Sequence, residues 1–102
     1  MEPRSGWTFL SNHSHVLIAL AKDPDLRMRD LAEEVGITER AVAQILTDLQ
    51  DAGALTRRRS GRRNVYDINA TVPLRHVVES HRTVADILRL AEPSKASRKK
   101  RV

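Results

Sequence analysis

The chain has 102 residues, a formal net charge of +5 and no cysteine. This length suits one small domain with a single core, and the missing cysteine excludes a disulfide scaffold and Cys-ligated zinc. No apolar run approaches the roughly 18 residues of a membrane span, and the N-terminal residues lack an apolar signal-peptide core. We therefore expect a cytoplasmic protein that does not associate with membranes.

Charge is divided unevenly along the sequence. Residues 1–53 carry five Lys/Arg and nine Asp/Glu, whereas residues 54–102 carry thirteen Lys/Arg and four Asp/Glu. Long-range attraction to a polyanion such as a nucleic acid must therefore come mainly from the second half of the chain, because the first half is net acidic.

The first predicted helix begins at Ser11 or Asn12, either of which can cap it, and runs to about Lys22. Residues 16–21 are apolar nearly all round, which is typical of a helix that is buried on more than one face. Pro24 ends the helix, because proline disfavours helical backbone at the residue before it. The sequence thus begins with a central helix, or with one shared between subunits.

The stretch LAEEVGITERAVAQILTDLQDAG, residues 31–53, predicts two helices joined at Gly36. Gly36 suits the left-handed position that ends a helix, and Thr38 can cap the helix that follows. The alternating residues 26–28 suggest a short strand before this pair. Apolar residues with spacings of three and four indicate a buried stripe on the second helix: Val42, Ile45, Leu46 and Leu49. Two short helices with a tight glycine-containing turn make a helix-turn-helix.

The face opposite this stripe is polar. At about 100° per residue, Arg40, Gln44, Thr47 and Asp51 lie across the helix from the apolar residues. Arginine can bond guanine O6 and N7, and glutamine can bond adenine N6 and N7, so this face suits the reading of duplex DNA. The alternative is the ordinary solvated face of a small helical domain.

An arginine-rich segment follows, with strand-forming residues on both sides of it. Leu55 precedes the segment, residues 65–68 follow it, and Ser60-Gly61 is a hairpin-turn signal. Arginine suits contacts with phosphate and with a narrow minor groove, so we expect the hairpin tip to contact DNA. The alternative is a hairpin whose charges keep its edge soluble. The arginines of the tip are Arg57, Arg58, Arg59, Arg62 and Arg63.

Pro73 is predicted to open a long helix from Leu74 to about Ala91, because proline is favoured in a first helical turn. The apolar stripe of this helix has spacings of three and four. It needs a second surface, and a two-fold partner supplies one; packing wholly within the subunit is the alternative. The predicted homodimer interface comprises Trp7, Phe9, Leu74, Val77, Val78, His81, Val84 and Leu88. Residues 93–102 are polar and basic, which is typical of a disordered tail.

The motifs RDLAEEVGITERAV, DLQDAGALTRR and GRRNVYDI resemble bacterial winged helix-turn-helix transcriptional regulators of the MarR and ArsR type. The resemblance covers about residues 26–68. It implies a mainly α fold with a small β-hairpin wing. Together with the flanking segments, we expect one winged helix-turn-helix domain over residues 1–92, with N- and C-terminal dimerisation elements that include a C-terminal dimerisation helix. The resemblance also implies sequence-specific binding to double-stranded DNA. The recognition helix, residues 38–52, would enter the major groove, and the wing, residues 57–63, would lie on the backbone or minor groove.

Carried over residue by residue, the resemblance assigns DNA contacts to Thr38, Glu39, Arg40, Ala43, Gln44, Thr47, Arg57, Arg58, Arg59, Arg62, Arg63 and Asn64. We expect no cofactor and no metal, because the Cys-containing motif of many ArsR sensors is missing and the four histidines are poorly spaced for one site. The chain is also shorter than a full MarR protein, so the resemblance supports DNA binding better than the sensing of an effector.

No Gly-rich phosphate loop, nucleophile elbow or pair of catalytic carboxylates is present, so we expect no enzymatic activity. Two other functions fit the same fold. One is a winged helix that docks on an acidic protein partner, and the other is an RNA-binding module.

Overall fold

Residues 6–93, the part of the chain that the computed structural model describes, contain short helices, one hairpin and the loops that connect them. The predicted basic tail falls outside these residues apart from Pro93. Within this range no helix has both the length and the apolar character that crossing a bilayer requires. The elements are α1 (Asn12–Lys22), α2 (Met28–Val35), α3 (Glu39–Asp51), β1 (Leu55–Ser60), β2 (Arg63–Ile68), α4 (Val84–Leu88) and a closing 3-10 turn (Arg89–Ala91).

Helix α1 is the central helix, as predicted. The hydroxyl of Ser11 caps it by accepting a bond from the backbone N–H of Ser14 at 3.2 Å. Val16 and Leu20 are completely buried, and α1 packs against α2, α3 and α4. An apolar surface on several sides is what this position requires, because each neighbouring helix covers a different face of α1.

The helix-turn-helix is confirmed in detail. Gly36 ends α2 with φ 84° and ψ 35°, and its N–H donates to the carbonyl of Ala32 at 2.8 Å. The hydroxyl of Thr38 accepts a bond from Ala41 N–H at 3.0 Å, which caps α3. The apolar stripe of α3 is buried in the shared core, so the opposite face of α3 is left outward.

The strand predicted at residues 26–28 is wrong. Leu26 and Arg27 lie in irregular backbone, and Met28 already begins α2. Asp30 explains the early start, because its carboxylate accepts a bond from the backbone N–H of Arg27 at 3.3 Å. This contact satisfies one of the amide groups that the first turn of a helix leaves unpaired.

The two-stranded hairpin is also confirmed, with a turn one residue later than the sequence indicates. Leu55 pairs with Ile68 at the base and Ser60 pairs with Arg63 at the tip, so Gly61 and Arg62 form the two-residue turn. Gly61 has φ 63°, the positive angle that glycine supplies at the first central position of a type II′ turn. The base of the hairpin packs on the core, and its tip projects into solvent.

The long C-terminal helix predicted from Leu74 to Ala91 is wrong. Residues 74–83 form an irregular loop, here called the 74–83 loop, and α4 begins only at Val84. The loop is closed at its base by an antiparallel bridge between Pro73 and Thr83, and Leu74 N–H donates to the carbonyl of Arg82 at 2.9 Å. No C-terminal dimerisation helix of the predicted length exists within residues 6–93.

Local side-chain bonds explain why the loop is not helical. Within it, Glu79 accepts from the backbone N–H of His76 at 3.2 Å, and the ring of His76 accepts from Val78 N–H at 3.1 Å. Such contacts compete with the helical backbone ladder. Histidine and β-branched valine also have lower helix propensity than alanine or leucine. Val77 and Val78 remain 79% and 73% exposed, so burial does not offset that preference.

Candidate nucleic-acid interface

The outward face of α3 carries the predicted base-reading residues. Arg40, Gln44 and Thr47 are exposed, as are Thr38 and Glu39 at the start of the helix, whereas Ala43 is half-buried. The four buried residues on the opposite side fix the rotation of α3 about its axis. The polar side chains therefore project from α3 into solvent.

A chain of hydrogen bonds connects this face to α1. The amide Nε2 of Gln44 donates to Oδ1 of Asp48 at 3.0 Å, and Nε2 of His13 lies 2.8 Å from Oδ2 of the same carboxylate. These two bonds hold the pKa of Asp48 below its usual value, the bond from His13 contributing most. Asp48 is therefore ionised at neutral pH, so both nitrogen atoms donate to it.

The sequence does not predict this arrangement. The spacing of Gln44 and Asp48, four residues apart on one helix, is a signal that could have indicated their bond. His13 lies 35 residues from Asp48 in sequence and reaches it only because α1 packs against α3.

The wing separates its arginines into two groups. Side chains alternate along a strand, so Arg57 and Arg59 share a face with the buried Leu55, whereas Arg58 lies on the other face. There Arg58 forms a two-point ion pair with Asp67, with Nε–Oδ2 at 2.9 Å and a second N–O distance of 3.2 Å. Hydrogen bonding to Arg58 lowers the pKa of Asp67, and the same contact raises the pKa of Arg58.

Arg63 connects the wing to the rest of the molecule. Its guanidinium donates to the backbone carbonyl of Asp25, in the segment between α1 and α2. Arg62, Arg63 and Asn64 line a cleft that also includes Leu46 of α3. Three wing arginines form no side-chain hydrogen bond or ion pair with any residue between Gly6 and Pro93: Arg57, Arg59 and Arg62. Their charges therefore remain available to an external anion.

The residues predicted for the dimer interface fall into two groups. Trp7, Phe9, Val77, Val78 and His81 are exposed, and the rings of Trp7 and Phe9 pack edge to face with centroids 4.7 Å apart. Leu74 and Leu88 are half-buried, and Val84 lies in the subunit's own core. The exposed group includes the aromatic pair and the tip of the 74–83 loop.

An open cavity of about 510 Å³ lies between the N-terminal segment and the 74–83 loop. Its wall is mainly apolar, with Leu10, Leu17 and Ile87 among the lining residues, and it also carries His13 and Arg75. The sequence did not indicate this cavity, because the segment that forms one wall was predicted to be a helix. In the part of the chain from residue 6 to residue 93, no three metal-ligating side chains cluster together.

Comparisons with known proteins identify the family. The profile of the MarR family matches residues 7–63, more than half of the chain. Two crystal structures of the MarR family protein Rv2887 from Mycobacterium tuberculosis, in complex with salicylic acid and with p-aminosalicylic acid, superpose with TM-scores of 0.52 and 0.51. Their sequences are 25% and 22% identical to this one, over 89% of this chain and 71% or 72% of theirs.

A comparison with curated proteins finds no significant match. The family profile covers the first helix, the helix-turn-helix and the first part of the hairpin, and the two crystal structures share the fold. The chain therefore belongs to the MarR family of winged-helix transcriptional regulators.

Proposed function

We propose that this chain regulates transcription by binding a specific sequence of double-stranded DNA as a homodimer. The recognition helix, residues 38–52, enters the major groove, and the wing, residues 57–63, lies along the backbone or adjacent minor groove. One observation carries the proposal: a helix with an exposed polar face packs beside a hairpin on which three arginines form no ion pair with any residue between 6 and 93. Family membership supports the same role.

The two parts of this interface have different tasks. Arg40 and Gln44 carry donors and acceptors that match base edges, so they select sequence. The wing arginines without an internal partner among the described residues, Arg57, Arg59 and Arg62, neutralise phosphates, so they supply affinity that is independent of sequence and depends on salt. This division follows from chemistry, because phosphate oxygens are the same at every base pair.

Replacement of Arg40 with alanine tests the reading role. We expect binding to the preferred site to weaken by about 1–3 kcal/mol and the preference at one base pair to relax, because a guanidinium that bonds a base edge is lost. Affinity measured on a panel of single-base variants of the site checks this. Arg89→Ala, at an exposed arginine in the closing 3-10 turn, is the control and should leave the base profile unchanged. Uniform weakening by Arg40→Ala would assign Arg40 to phosphate instead.

The exposed apolar residues support the proposed dimer. Phe9 is 90% exposed, Trp7 packs against it, and Val77 and Val78 stand out from the 74–83 loop. Phe9 and Leu74 line the same cavity, so the aromatic pair and the loop border one surface. A second copy that covers this surface would remove these side chains from water, which is favourable by about 25 cal/mol per Å² of apolar area.

Selection from random sequences, at fixed salt, tests the binding and the dimer together. Duplex DNA and RNA libraries are used in parallel. A duplex consensus with two-fold symmetry, its half-sites about one helical turn apart, supports both. Enrichment of structured RNA alone favours the RNA-binding alternative, and no enrichment favours docking on a protein partner. A consensus without symmetry would contradict the dimer and leave the DNA binding in place.

The cavity supports a second role, the binding of a small aromatic carboxylate. Salicylic acid and p-aminosalicylic acid are bound by the similar protein Rv2887. Here the apolar walls would hold a ring, and Arg75, which lines the same cavity, would pair with the carboxylate. The cavity thus combines an apolar body with a cation at its edge.

A thermal shift experiment with salicylate tests this second role. We expect the melting temperature to rise with salicylate concentration, because a ligand that binds only the folded chain stabilises it by about 2.7 kcal/mol at a hundred times its Kd. Arg75→Gln should reduce the shift, and benzyl alcohol, which has no carboxylate, should give less than salicylate. Equal shifts for salicylate with and without Arg75 would contradict the proposed ion pair.

A further inference from the structure

The bond between Gln44 and Asp48 gives the exposed amide of Gln44 a defined direction. A side-chain amide has two different ends, an NH₂ group that donates and an oxygen that accepts. An ionised carboxylate only accepts. With Nε2 at 3.0 Å from Asp48, the nitrogen end faces the carboxylate and the oxygen end faces away. The reversed amide would place its oxygen against a carboxylate oxygen, which is repulsive.

This direction leaves a specific pattern for an external partner. One N–H of the amide bonds Asp48, so the other N–H and the oxygen Oε1 remain. Adenine needs this combination in the major groove, because its N7 accepts and its N6 amino group donates. The reversed amide would exchange the positions of donor and acceptor and so lose the match.

The carboxylate of Asp48 is itself held from outside α3. His13, on α1, donates to its second oxygen at 2.8 Å. The cleft next to Asp48 is lined by His13, by Asp51 and by Arg75 of the 74–83 loop. Bonds to both carboxylate oxygens from two different helices restrict the rotation of the group. A single exposed contact four residues apart on one helix would restrict it less.

We propose that Asp48, supported by His13, is a positioning residue for base selectivity. It fixes which end of the Gln44 amide faces the base, and it does so without touching DNA. This inference rests on the proposed function, because it requires Gln44 to read a base pair.

The variant Asp48→Asn tests it, since asparagine has the same shape but offers a donor and an acceptor and so accommodates either direction of the Gln44 amide. We expect the preference for adenine at the base pair read by Gln44 to fall about fivefold, with other positions unchanged. The average affinity for DNA of unrelated sequence should not fall, because the variant removes a negative charge from the DNA-facing helix. A change confined to one position is a result that general loosening of the fold would not produce.

Asp51→Asn is the matched control. It makes the same change of charge on the same helix, and Asp51 bonds no other side chain within residues 6–93. We expect it to leave base preference unchanged. His13→Ala, which removes the outer support, should relax the same base pair as Asp48→Asn by a smaller factor. Circular dichroism confirms that each variant is folded. If Asp48→Asn does not fold, the base preference of His13→Ala tests the positioning role of Asp48 instead.

Gln44→Ala separates the inference from the proposed function. We expect Gln44→Ala to abolish the preference at one base pair. In the double variant, Asp48→Asn should then cause no further change at that base pair, which a double-mutant cycle measures. If Gln44→Ala changes the preference but Asp48→Asn matches Asp51→Asn, the positioning role of Asp48 is overturned and Gln44 keeps its reading role. If Gln44→Ala changes no base preference, both are overturned.

Discussion

Replacing Arg57, Arg59 and Arg62 together with alanine is expected to weaken DNA binding about a hundredfold for each bound subunit at 0.2 M salt, for every sequence alike. The plot of log affinity against log salt should flatten by about three units for each bound subunit, because each phosphate contact contributes about 0.9. The structure leaves these three charges outside internal ion pairs within residues 6–93, so their whole charge is available to phosphate. Titration of duplex DNA at four or more salt concentrations measures both quantities.

Arg58→Ala is the control for this experiment. Asp67 already offsets the charge of Arg58 through two N–O contacts, at 2.9 and 3.2 Å. We expect Arg58→Ala to change the salt slope by much less than any of the other three arginines does alone. Asp67→Asn should steepen the slope, because it releases Arg58. An Arg58→Ala effect as large as that of Arg62→Ala would show that DNA displaces Asp67 from Arg58.

The second large effect concerns the core. Leu31→Ala is expected to lower the free energy of unfolding by about 2–5 kcal/mol, because it removes buried methyl groups and leaves a cavity. Leu31 is 1% exposed and lies on α2, which packs against both α1 and α3. A small domain has about 5–15 kcal/mol in total, so this variant approaches the limit of folding. Urea denaturation followed by circular dichroism measures the change.

Leu90→Ala provides the matched comparison. The same substitution is made at a leucine that is 57% exposed, so the change in the free energy of unfolding should stay within about 0.5 kcal/mol. A change below about 0.5 kcal/mol for Leu31→Ala would contradict the burial seen for Leu31. Destabilisation by Leu90→Ala as large as that by Leu31→Ala would indicate that the closing 3-10 turn is covered by a second subunit in solution.

The DNA-binding half of the fold was predictable because local rules and the core agree there. Gly36 and Thr38 have specific backbone roles at the helix-turn-helix, and the periodic stripe of α3 faces the core as its spacing predicts. The hairpin followed from strand-forming residues on both sides of a glycine turn. In each case the signal lies within a few residues of the structure that it specifies.

In the C-terminal part of the described chain, the sequence pattern did not predict the structure. Apolar residues with helical spacing occur from Leu74 onwards, but a stripe indicates a helix only if a surface exists to bury it. Within the described subunit α1 and α3 already fill the core, so Val77 and Val78 stay exposed and local bonds from His76 and Ser80 shape the loop. The contact of His13 with Asp48 was unpredictable for a related reason, since it depends on packing between distant helices.

The bridge between Pro73 and Thr83 has a consequence for how this regulator can diversify. It ties the two ends of the 74–83 loop together, so changes at the exposed tip residues Val77 and Val78 need not displace the strands and helices on either side. On the proposed dimer surface, mutation at these two positions would alter which subunits pair, while the base contacts proposed for α3 would stay the same. Paralogous copies of such a gene could thereby stop cross-pairing before their target sites diverge.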